Sequence, residues 1–343
     1  MANGNFAGGT GTSADPYLVE DAKDLKACTT LNKHYKQIAD IDLSEYNTET
    51  GFEPVLIQAS EEGSYTYDGN GYKILNLYQN RPETHEAGVF RLRPIKDRRY
   101  NRVLTYNFKN ISIINANVTS KGPGILATGV GHATYNSDYG EGARTYINVN
   151  NCFISGQLTC ILSGNLNAQH YNTGVVGTLD ANGAEHLSTQ LISMTGVTAV
   201  LDVSIQVSNC ANKTFNMGLL GIKKNMSGGH AMYTRITNSC VHADVSVEKT
   251  DDTAVINVYG VAPEFINTDI NNVYVNASFN NIGEKEGVNF FYFTPGSDYV
   301  SNMIANHEKG QVNGIDFDNV HYLTDEQMKD LTYYKNLGWT IYE

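Results

Sequence analysis

The chain lacks the features that mark export, membrane insertion or nucleic-acid binding. Its opening residues contain no basic segment followed by an apolar one, and no stretch of 18 apolar residues occurs later. Lysine and arginine number 24 against 36 acidic residues, and the resulting net charge of −12 repels phosphate backbones. We therefore expect a chain with no secretory leader, no membrane span and no nucleic-acid partner.

Cysteine, histidine and serine do not occur in the patterns that metal binding or catalysis needs. The five cysteines are an odd number without a C-x-x-C pair, which predicts reduced and mostly buried thiols. No two of the nine histidines stand four residues apart, and the chain has neither a Walker-type phosphate loop nor a Gly-x-Ser-x-Gly elbow. The sequence therefore predicts no catalytic residue, no metal ligand and no cofactor.

Proline and charge are scarce, whereas turn-forming and β-forming residues are abundant. The chain has 7 prolines and 17% charged residues, against 32 glycines and 22 tyrosines. This composition is typical of β structure with many turns. No charged, Pro-rich or Ser-rich stretch is long enough to act as a linker, so we expect one continuous body.

Two motifs recur along the chain with one period. In the first motif, a small or polar residue is followed by glycine and then by apolar residues. Its glycines are Gly88, Gly129, Gly174 and Gly218, which are 41, 45 and 44 residues apart. The second, a small or polar residue before alternating apolar residues, follows at about half of the period. Its copies begin at Asn110, Asn151, Gly196, Ser239, Asn272 and Asn319. Two unrelated patterns that share a period indicate a repeat protein.

Each half-period of roughly 20 to 25 residues holds one or two short β patterns and is too short for a βαβ unit. We therefore predict an all-β fold, a right-handed parallel β-helix in which each turn pairs with the turns on either side. Apolar ladders would fill the interior, and Cys152 and Cys240, at equivalent repeat positions, are expected to point inward. At about 4.8 Å per turn, the body would be a rod many tens of ångströms long.

The open edges of such a stack need covers, and both termini carry helix signals. Asp21 is a candidate N-cap for a helix over 22–31, and residues 324–327 have the form of a capping box that opens a helix to about residue 333. Trp339, the single tryptophan, is expected to cover the last turn. The predicted organisation is a Gly-rich arm and first strand over 1–20, a capping helix over 21–34, repeats over 35–322, and a capping helix and strand over 323–343.

Parts of the chain resemble proteins that carry GLUG-type repeats. The similarity lies in residues 8–19, 35–43, 67–77 and 323–329, and in Gly218-Leu219-Leu220-Gly221, which is close to the motif that names the family. It covers residues 1–80 well and the remainder sparsely. The resemblance implies a parallel β-helix of the kind found in bacterial surface adhesins and phage structural proteins. It brings no catalytic residues with it.

A β-helix that cleaves polysaccharide would need outward carboxylates. Asp40 and Asp42 alternate with apolar neighbours and are expected on the outer face of a strand. Asp68 precedes Gly-Asn-Gly, which is typical of an Asx turn. We interpret these acids, like Asp316 and Asp318, as solvated strand or turn residues.

Arginine is concentrated in one segment of the acidic chain. Residues 81–102 are predicted to form a loop that projects from the repeats. They contain a candidate partner-contact set, Arg91, Arg93, Arg98, Arg99 and Arg102. These arginines either compensate nearby acids or dock to an acidic partner surface, and both interpretations stay open here.

These features favour a non-enzymatic phage virion protein, such as a tail fibre, spike or head appendage. It would be made in the host cytoplasm, assemble with other virion proteins and present a rigid β-helix to a host surface glycan or protein. A homotrimer is one open arrangement. The alternatives are a tailspike depolymerase of surface polysaccharide and a bacterial cell-surface adhesin module.

Overall fold

In a computed structural model of the protein, the structure describes residues 6–59, 62–84, 87–93, 103–130, 144–164, 173–180, 189–220, 232–250, 253–261, 268–291, 300–306, 320–324 and 327. Within these ranges the chain is all-β, with one α-helix, α1 (Ala22–Ala27), and a short 3-10 helix, Ser44–Tyr46. The strands are β1 (Tyr17–Val19), β2 (Lys33–Gln37), β3 (Ile41–Asp42), β4 (Val55–Gln58), β5 (Gly63–Asp68), β6 (Lys73–Leu75), β7 (Tyr78–Arg81), β8 (Phe90–Arg93), β9 (Val103–Lys109), β10 (Ser112–Ser120), β11 (Gly124–Val130), β12 (Arg144–Asn150), β13 (Phe153–Ser163), β14 (Gly174–Asp180), β15 (Thr189–Thr195), β16 (Thr198–Ser208), β17 (Thr214–Gly218), β18 (Met232–Lys249), β19 (Val255–Tyr259), β20 (Thr268–Ile282), β21 (Val288–Phe291), β22 (Val300–Asn306) and β23 (Val320–Leu323).

Every pairing between two named strands in the described part of the chain is parallel. One sheet has 16 strands, and two smaller sheets run in the order β14-β11-β8-β4 and β17-β19-β21. Parallel partners cannot be joined by a tight hairpin, so the chain must travel some distance before it returns to pair. In this protein the chain forms one or more other strands before it returns, and each strand then pairs with the equivalent strand of the next repeat.

The register of the pairs follows the period of the sequence motifs. Ile113 pairs with Ile154, Ile154 with Ala199, Ala199 with Val241, and Val241 with Val275. All five side chains are buried, so equivalent positions of successive repeats form one apolar ladder inside the protein. The separation shortens to 34 residues at the last step.

The first strands of the repeats form one column, β1-β2-β5-β9-β12-β15-β18-β20-β22. At about 4.8 Å per spacing, nine strands stack to about 38 Å. A compact protein of this length has a radius of gyration of about 20 Å, so the stack is no longer than an ordinary globular body. The repeats therefore give the protein broad lateral faces rather than long reach.

Left-handed residues form the corner between the first and second strands of a repeat. Asn110, Asn151, Asn238 and Asn272 have φ angles of 54°, 53°, 49° and 53°, and Gly196 has a φ of 66° at the equivalent place. Asparagine and glycine tolerate this conformation better than other residues. The backbone N–H groups of Asn110, Asn151 and Gly196 each donate to a carbonyl oxygen of the next repeat, at 2.9, 2.9 and 3.1 Å. This corner is the physical basis of the second sequence motif.

A short arm covers the N-terminal edge of the column. The Ala7 N–H donates to the Leu18 carbonyl and the Leu18 N–H donates to the Gly8 carbonyl, both at 2.9 Å, so the backbone of β1 is paired on that side. Gly9 has a φ of 84°, and a Cβ there would lie 1.9 Å from the Pro16 carbonyl oxygen. The glycine-rich start therefore makes a tight return against an edge that would otherwise be open to aggregation.

The N-terminal helix forms where the sequence predicts it but is shorter. Asp21 is confirmed as its N-cap, because the carboxylate accepts two backbone N–H groups of the first turn. The prediction that the helix continues to residue 31 is wrong. It ends at Ala27, Cys28 leaves the helical conformation, and Asn32, with a φ of 61°, turns the chain into β2.

The C-terminal capping box is confirmed by two reciprocal hydrogen bonds. The Thr324 N–H donates to Gln327 Oε1 at 2.9 Å, and the Gln327 N–H donates to Thr324 Oγ1 at 3.2 Å. The helix predicted after it, and Trp339, lie outside the described residues.

The prediction that Gly129 is the repeat partner of Gly174 is wrong. Gly124 pairs with Gly174, whereas Gly129 pairs with Leu92 in the preceding repeat. The close contact explains the preference for glycine at this position, since a Cβ on Gly124 would lie 2.1 Å from the backbone nitrogen of Gly177.

The equivalence predicted for Cys152 and Cys240 is also wrong. Cys240 pairs with Thr198, which pairs with Phe153, the residue after Cys152. Because side chains alternate along a strand, this offset of one residue buries Cys152 and turns Cys240 to the outer side. All five cysteines are free, and four are buried, which confirms the prediction of reduced, mostly buried thiols.

Candidate binding surfaces

The arginine-rich segment is part strand rather than a continuous loop, so that prediction is wrong for its middle. Residues 90–93 form β8, which pairs with β4 on one side and β11 on the other. The physical reason is a period of two: Phe90 and Leu92 are buried, whereas Arg91 and Arg93 alternate with them on the outer side. Phe90 is held by aromatic neighbours in two repeats, with its ring centroid 4.8 Å from that of Phe108 and 5.2 Å from that of Tyr67.

Three arginines of this segment come together, and we call Arg81, Arg91 and Arg93 the arginine cluster. Arg81 ends β7 and forms an ion pair with Glu53. The pKa of Arg91 is lowered to about 10, first by partial burial and then by the neighbouring charges of Arg93 and Arg81, while Glu53 opposes the shift. The cluster is a local concentration of positive charge on an acidic protein. The predicted contacts Arg98, Arg99 and Arg102 lie outside the described residues.

A second surface is made by the outward side chains of the second strands. We call it the ladder face: residues 153–163 of β13, 198–208 of β16, 240–249 of β18 and 273–282 of β20. These segments pair in register, so their outward residues line up in columns across the sheet. The columns include Phe153-Thr198-Cys240-Tyr274, Ser155-Val200-His242-Asn276, Gln157-Asp202-Asp244-Ser278 and Thr159-Ser204-Ser246-Asn280.

The ladder face is acidic and partly apolar. Asp202 and Asp244 stand directly opposite each other, and the Ser278 hydroxyl donates a hydrogen bond to Asp244. The four segments contain His242 and no arginine, and their one lysine, Lys249, is 3% exposed and donates from Nζ to the Ala254 carbonyl at 2.7 Å. Like charges opposite each other on adjacent strands are destabilising, so this column has no evident structural benefit.

Two large apolar side chains project from the same face. Phe153 is 37% exposed and Val200 is 42% exposed. They belong to adjacent strands, and Phe153 pairs with Thr198, two residues before Val200. An exposed aromatic ring on a face that also carries amide, hydroxyl and carboxylate groups is a combination that binding surfaces use.

The acids that the sequence singles out near the N-terminus are engaged in local structure. Asp68 Oδ1 accepts the Asn70 N–H at 2.9 Å and the Asn110 side-chain amide at 3.0 Å, which confirms the Asx-turn interpretation. Burial alone would raise the pKa of Asp68, but hydrogen bonds from Asn110, Lys109 and Asn70 lower it overall. Hydrogen bonds, first from Asn76, also lower the pKa of Asp42.

Asp40 and Asp42 are exposed on either side of a buried isoleucine, which confirms their expected outward position. Asp40 Oδ1 accepts the Lys73 N–H at 2.8 Å, so it caps the start of a strand in the next repeat. Asp316 and Asp318 lie outside the described residues. Within the residues that the structure describes, no group of three or more His, Cys, Asp and Glu side chains is placed to hold a metal ion.

Sequence patterns alone did not predict the ladder face. Its signal is present, since residues 198–206 place Thr, Val, Asp, Ser and Gln at every second position. Such alternation shows that one side of a strand faces outward, but it does not show which residues of other strands stand beside them. That information comes from the register between repeats.

Comparison with known proteins gives short matches. No family model matches the chain. An alignment of 89 positions that covers 24% of this chain shows 37% identity to halomucin of Haloquadratum walsbyi. A second alignment, of 90 positions and 25% of the chain, shows 34% identity to a "Putative Gly-rich membrane protein" of Evansella cellulosilytica. The matches span 1% and 10% of those two proteins.

One solved structure is similar over most of the chain. It is that of a "putative immunoglobulin A1 protease" from Bacteroides ovatus, with 16% identity, a TM-score of 0.44, and coverage of 94% of this chain and 88% of that one. A likeness at this level carries no argument about activity. In the described part of this chain, no helix is long and apolar enough to cross a bilayer.

Proposed function

We propose that the chain is a right-handed parallel β-helix with a helix over each end, and that it acts by presenting a surface rather than by catalysis. The observation that carries the proposal is the continuous parallel pairing of strands from β1 to β23. Such a stack is a stiff scaffold on which neighbouring repeats hold outward side chains at fixed spacing. Stiff regular faces suit recognition of extended partners.

The setting we propose is a phage virion, as part of a tail fibre, spike or head appendage that attaches to a host surface or decorates the particle. The resemblance to GLUG-type repeat proteins supports this setting. In it, the arginine cluster would dock to an acidic surface of another virion protein, since guanidinium groups bind carboxylates well. The ladder face would remain free to meet a host glycan or protein. A homotrimer would place three such faces on one appendage.

A bacterial cell-surface adhesin module is the second candidate. Support comes from the two relatives, named "Halomucin" and "Putative Gly-rich membrane protein", each similar over about a quarter of this chain. The two settings differ in where the protein is found. Antibodies to the purified protein should label intact phage particles if the first is correct, and the surface of the producing cell if the second is.

Binding to whole cells, with released sugar measured in the same samples, tests the proposed activity. The purified protein is mixed with a panel of bacterial strains, sedimented with the cells and quantified, while the supernatant is assayed for new reducing ends. We expect binding to a subset of strains without sugar release. Release of reducing sugar would identify a depolymerase and overturn the non-enzymatic proposal. Failure to bind any strain would leave a structural role within a particle and contradict host attachment.

A further inference from the structure

The ladder face combines columns of paired outward side chains with acidic charge. One column holds an amide, two carboxylates and a hydroxyl, and the next holds three hydroxyl groups and an amide, so every position of these two columns is polar. Neighbouring strands lie about 4.8 Å apart and outward positions along one strand about 6.6 Å apart. A flexible polymer with many hydroxyl groups can therefore hydrogen-bond to successive polar side chains, either along one strand or across neighbouring strands.

The charge of this face restricts the partner. Asp202 has no hydrogen-bond or ion-pair partner among the described residues, and Asp244 accepts only from an uncharged hydroxyl there. Both carboxylates are exposed, and Glu248, two columns further along the strand, is exposed as well. A polymer that carries carboxylate, sulfate or phosphate groups would be repelled. One that carries ammonium groups would relieve the repulsion between the two opposed aspartates.

Phe153 supplies the apolar contact that sugar binding also needs. Its ring lies at the edge of the ladder face, in the strand that contributes Gln157 to the carboxylate column. Pyranose rings present apolar C–H faces as well as hydroxyl groups, and an exposed aromatic ring can pack against such a face. The separation of four residues along the strand, about 13 Å, leaves room for more than one sugar between Phe153 and the column.

We propose that the ladder face binds a polysaccharide that carries free amino groups, with a sugar ring packed on Phe153 and ammonium groups at Asp202 and Asp244. This rests on the proposed attachment function for its biological setting, and it names the chemical class of the ligand. An acidic polysaccharide is excluded as the occupant by the charge of the face. A neutral one lacks the ammonium group that would relieve the opposed carboxylates.

Two oligosaccharides that differ in one group test the proposal. The hexamer of glucosamine and the hexamer of N-acetylglucosamine are titrated into the full-length protein at pH 6 by isothermal calorimetry. We expect the amino form to bind at least tenfold more tightly and to weaken in high salt, because the contact is an exposed ion pair. Equal binding of the two forms, or no binding of either, would overturn the proposal.

Variants locate the contact. Asp202→Asn with Asp244→Asn should reduce binding of the glucosamine hexamer on the order of tenfold, and Phe153→Ala should reduce binding of both hexamers. The matched control is Asp269→Asn, an outward carboxylate on the first-strand column that pairs with Arg235 and should leave binding unchanged. Binding that survives the double substitution, or that disappears in EDTA because a metal ion bridges the carboxylates, would contradict the ammonium contact.

Cell binding separates this proposal from the proposed function. If the double variant binds cells as the wild type does, attachment stands and the ladder face is not its site. If the glucosamine hexamer binds the ladder face but no strain is bound, the ligand chemistry stands and host attachment fails.

Discussion

The repeats up to β11 combine buried aromatic rings with aliphatic side chains, whereas the repeats from β12 to β18 hold aliphatic side chains at most of the positions that the rings occupy. One inward column runs Tyr35, Tyr67, Phe108 and then Val149, Met194 and Ile236, all of them buried. The parallel pairing continues through the change without interruption. The repeat therefore depends on matched volume within each layer rather than on one residue type.

The aromatic region also contains buried polar groups that need partners. The Tyr65 hydroxyl donates to the Cys28 carbonyl at 2.9 Å, and the Tyr67 hydroxyl donates to Gln37 Oε1 at 3.2 Å. Burial is the largest cause that raises the pKa of both phenols well above the ordinary value. The aliphatic region has fewer such groups among the described residues, so its stability rests more on apolar burial.

The second strand differs between the two regions as well. Near the N-terminus it bends at Asn76 and Asn115, which have φ angles of 57° and 58°, and the Asn115 amide donates to Asn76 Oδ1 at 2.8 Å. The register shifts there, between Ile113 and Ala116, where β10 meets β13. From β13 onward the second strand is long and continuous. The ladder face exists only where the bend has been lost, which links the change in backbone to the candidate site.

The largest expected difference between the regions is the cost of removing an interior ring. Phe108→Ala should lower the free energy of unfolding by about 3 to 5 kcal/mol, because it leaves a cavity among stacked rings. Val149→Ala, at the next position of the same column, should cost about 1 to 2 kcal/mol, since fewer buried carbons are removed. Urea unfolding of the two variants measures this difference. Equal losses would show that the two regions are not packed differently.

The next largest effect on stability is expected from replacing a buried side-chain amide in the aromatic region. Gln79 is fully buried, and its side chain donates to the Phe52 carbonyl at 2.7 Å and the Gly88 carbonyl at 3.0 Å. Gln79→Leu should lower the free energy of unfolding by about 2 to 3 kcal/mol, because backbone groups lose their partners inside the protein. The control is Gln206→Leu on the exposed ladder face, which should stay within about 0.5 kcal/mol of the wild type. A small effect at both sites would contradict a structural role for the buried amide.

Replacing either of two paired tyrosines by phenylalanine should change the stability less, and in different directions. Tyr65→Phe should cost about 1 kcal/mol, since the Cys28 carbonyl loses its donor. Tyr106 pairs with Tyr65, but its buried hydroxyl has no hydrogen-bond partner among the described residues. Tyr106→Phe should therefore be neutral or stabilising. Thermal unfolding of both variants distinguishes them, and a clear loss for Tyr106→Phe would reveal a partner for that hydroxyl.

The smallest expected effect is a loss of folding stability at acid pH that arises from Asp68, at a corner of an N-terminal repeat. The pKa of Asp68 is lower in the folded protein than the value of about 3.9 for an unfolded chain. Its ionised form therefore stabilises the fold above that pH, and the contribution is lost as the pH falls through the folded pKa. At the corresponding corner of a later repeat, the Asn272 amide donates to the uncharged Asn238.

Unfolding midpoints between pH 7 and pH 3 measure this contribution. Asp68→Asn should remove part of the fall in stability on acidification, and Asn238→Asp should add a similar dependence to the later repeat. If Asp68→Asn changes stability equally at all pH values, the carboxylate charge is not what stabilises this corner.

The parallel stack could be predicted because its corners have special chemistry. Asn110, Asn151 and Asn272 recur because the backbone turns into a left-handed conformation there, and few residues tolerate it. The N-cap at Asp21 and the capping box at Thr324 are likewise local signals that depend on neighbours within a few residues. Features set by short-range geometry are therefore visible in the sequence.

The features that the sequence did not predict depend on contacts between repeats. Arg91 lies in a strand only because Phe90 packs against rings of neighbouring repeats, and four alternating residues are too short a signal on their own. The sequence motif wrongly aligns Cys240 with Cys152 because that copy begins at Ser239. The left-handed corner residue of that repeat is Asn238, one residue earlier. The opposition of Asp202 and Asp244 follows from the same register, which no single segment specifies.

The register between repeats can be tested directly with one engineered cysteine opposite Cys240. Cys240 Sγ lies 3.4 Å from Thr198 Oγ1, and their Cα atoms are direct partners on adjacent strands, within the range that a disulfide spans. In the variant Thr198→Cys, mild oxidation at alkaline pH should link residues 198 and 240 in the monomer, as detected by peptide mass spectrometry. The control Val200→Cys, displaced by two residues, should not form the link. Absence of the 198–240 disulfide, or equal linking in the control, would contradict the parallel stack described here.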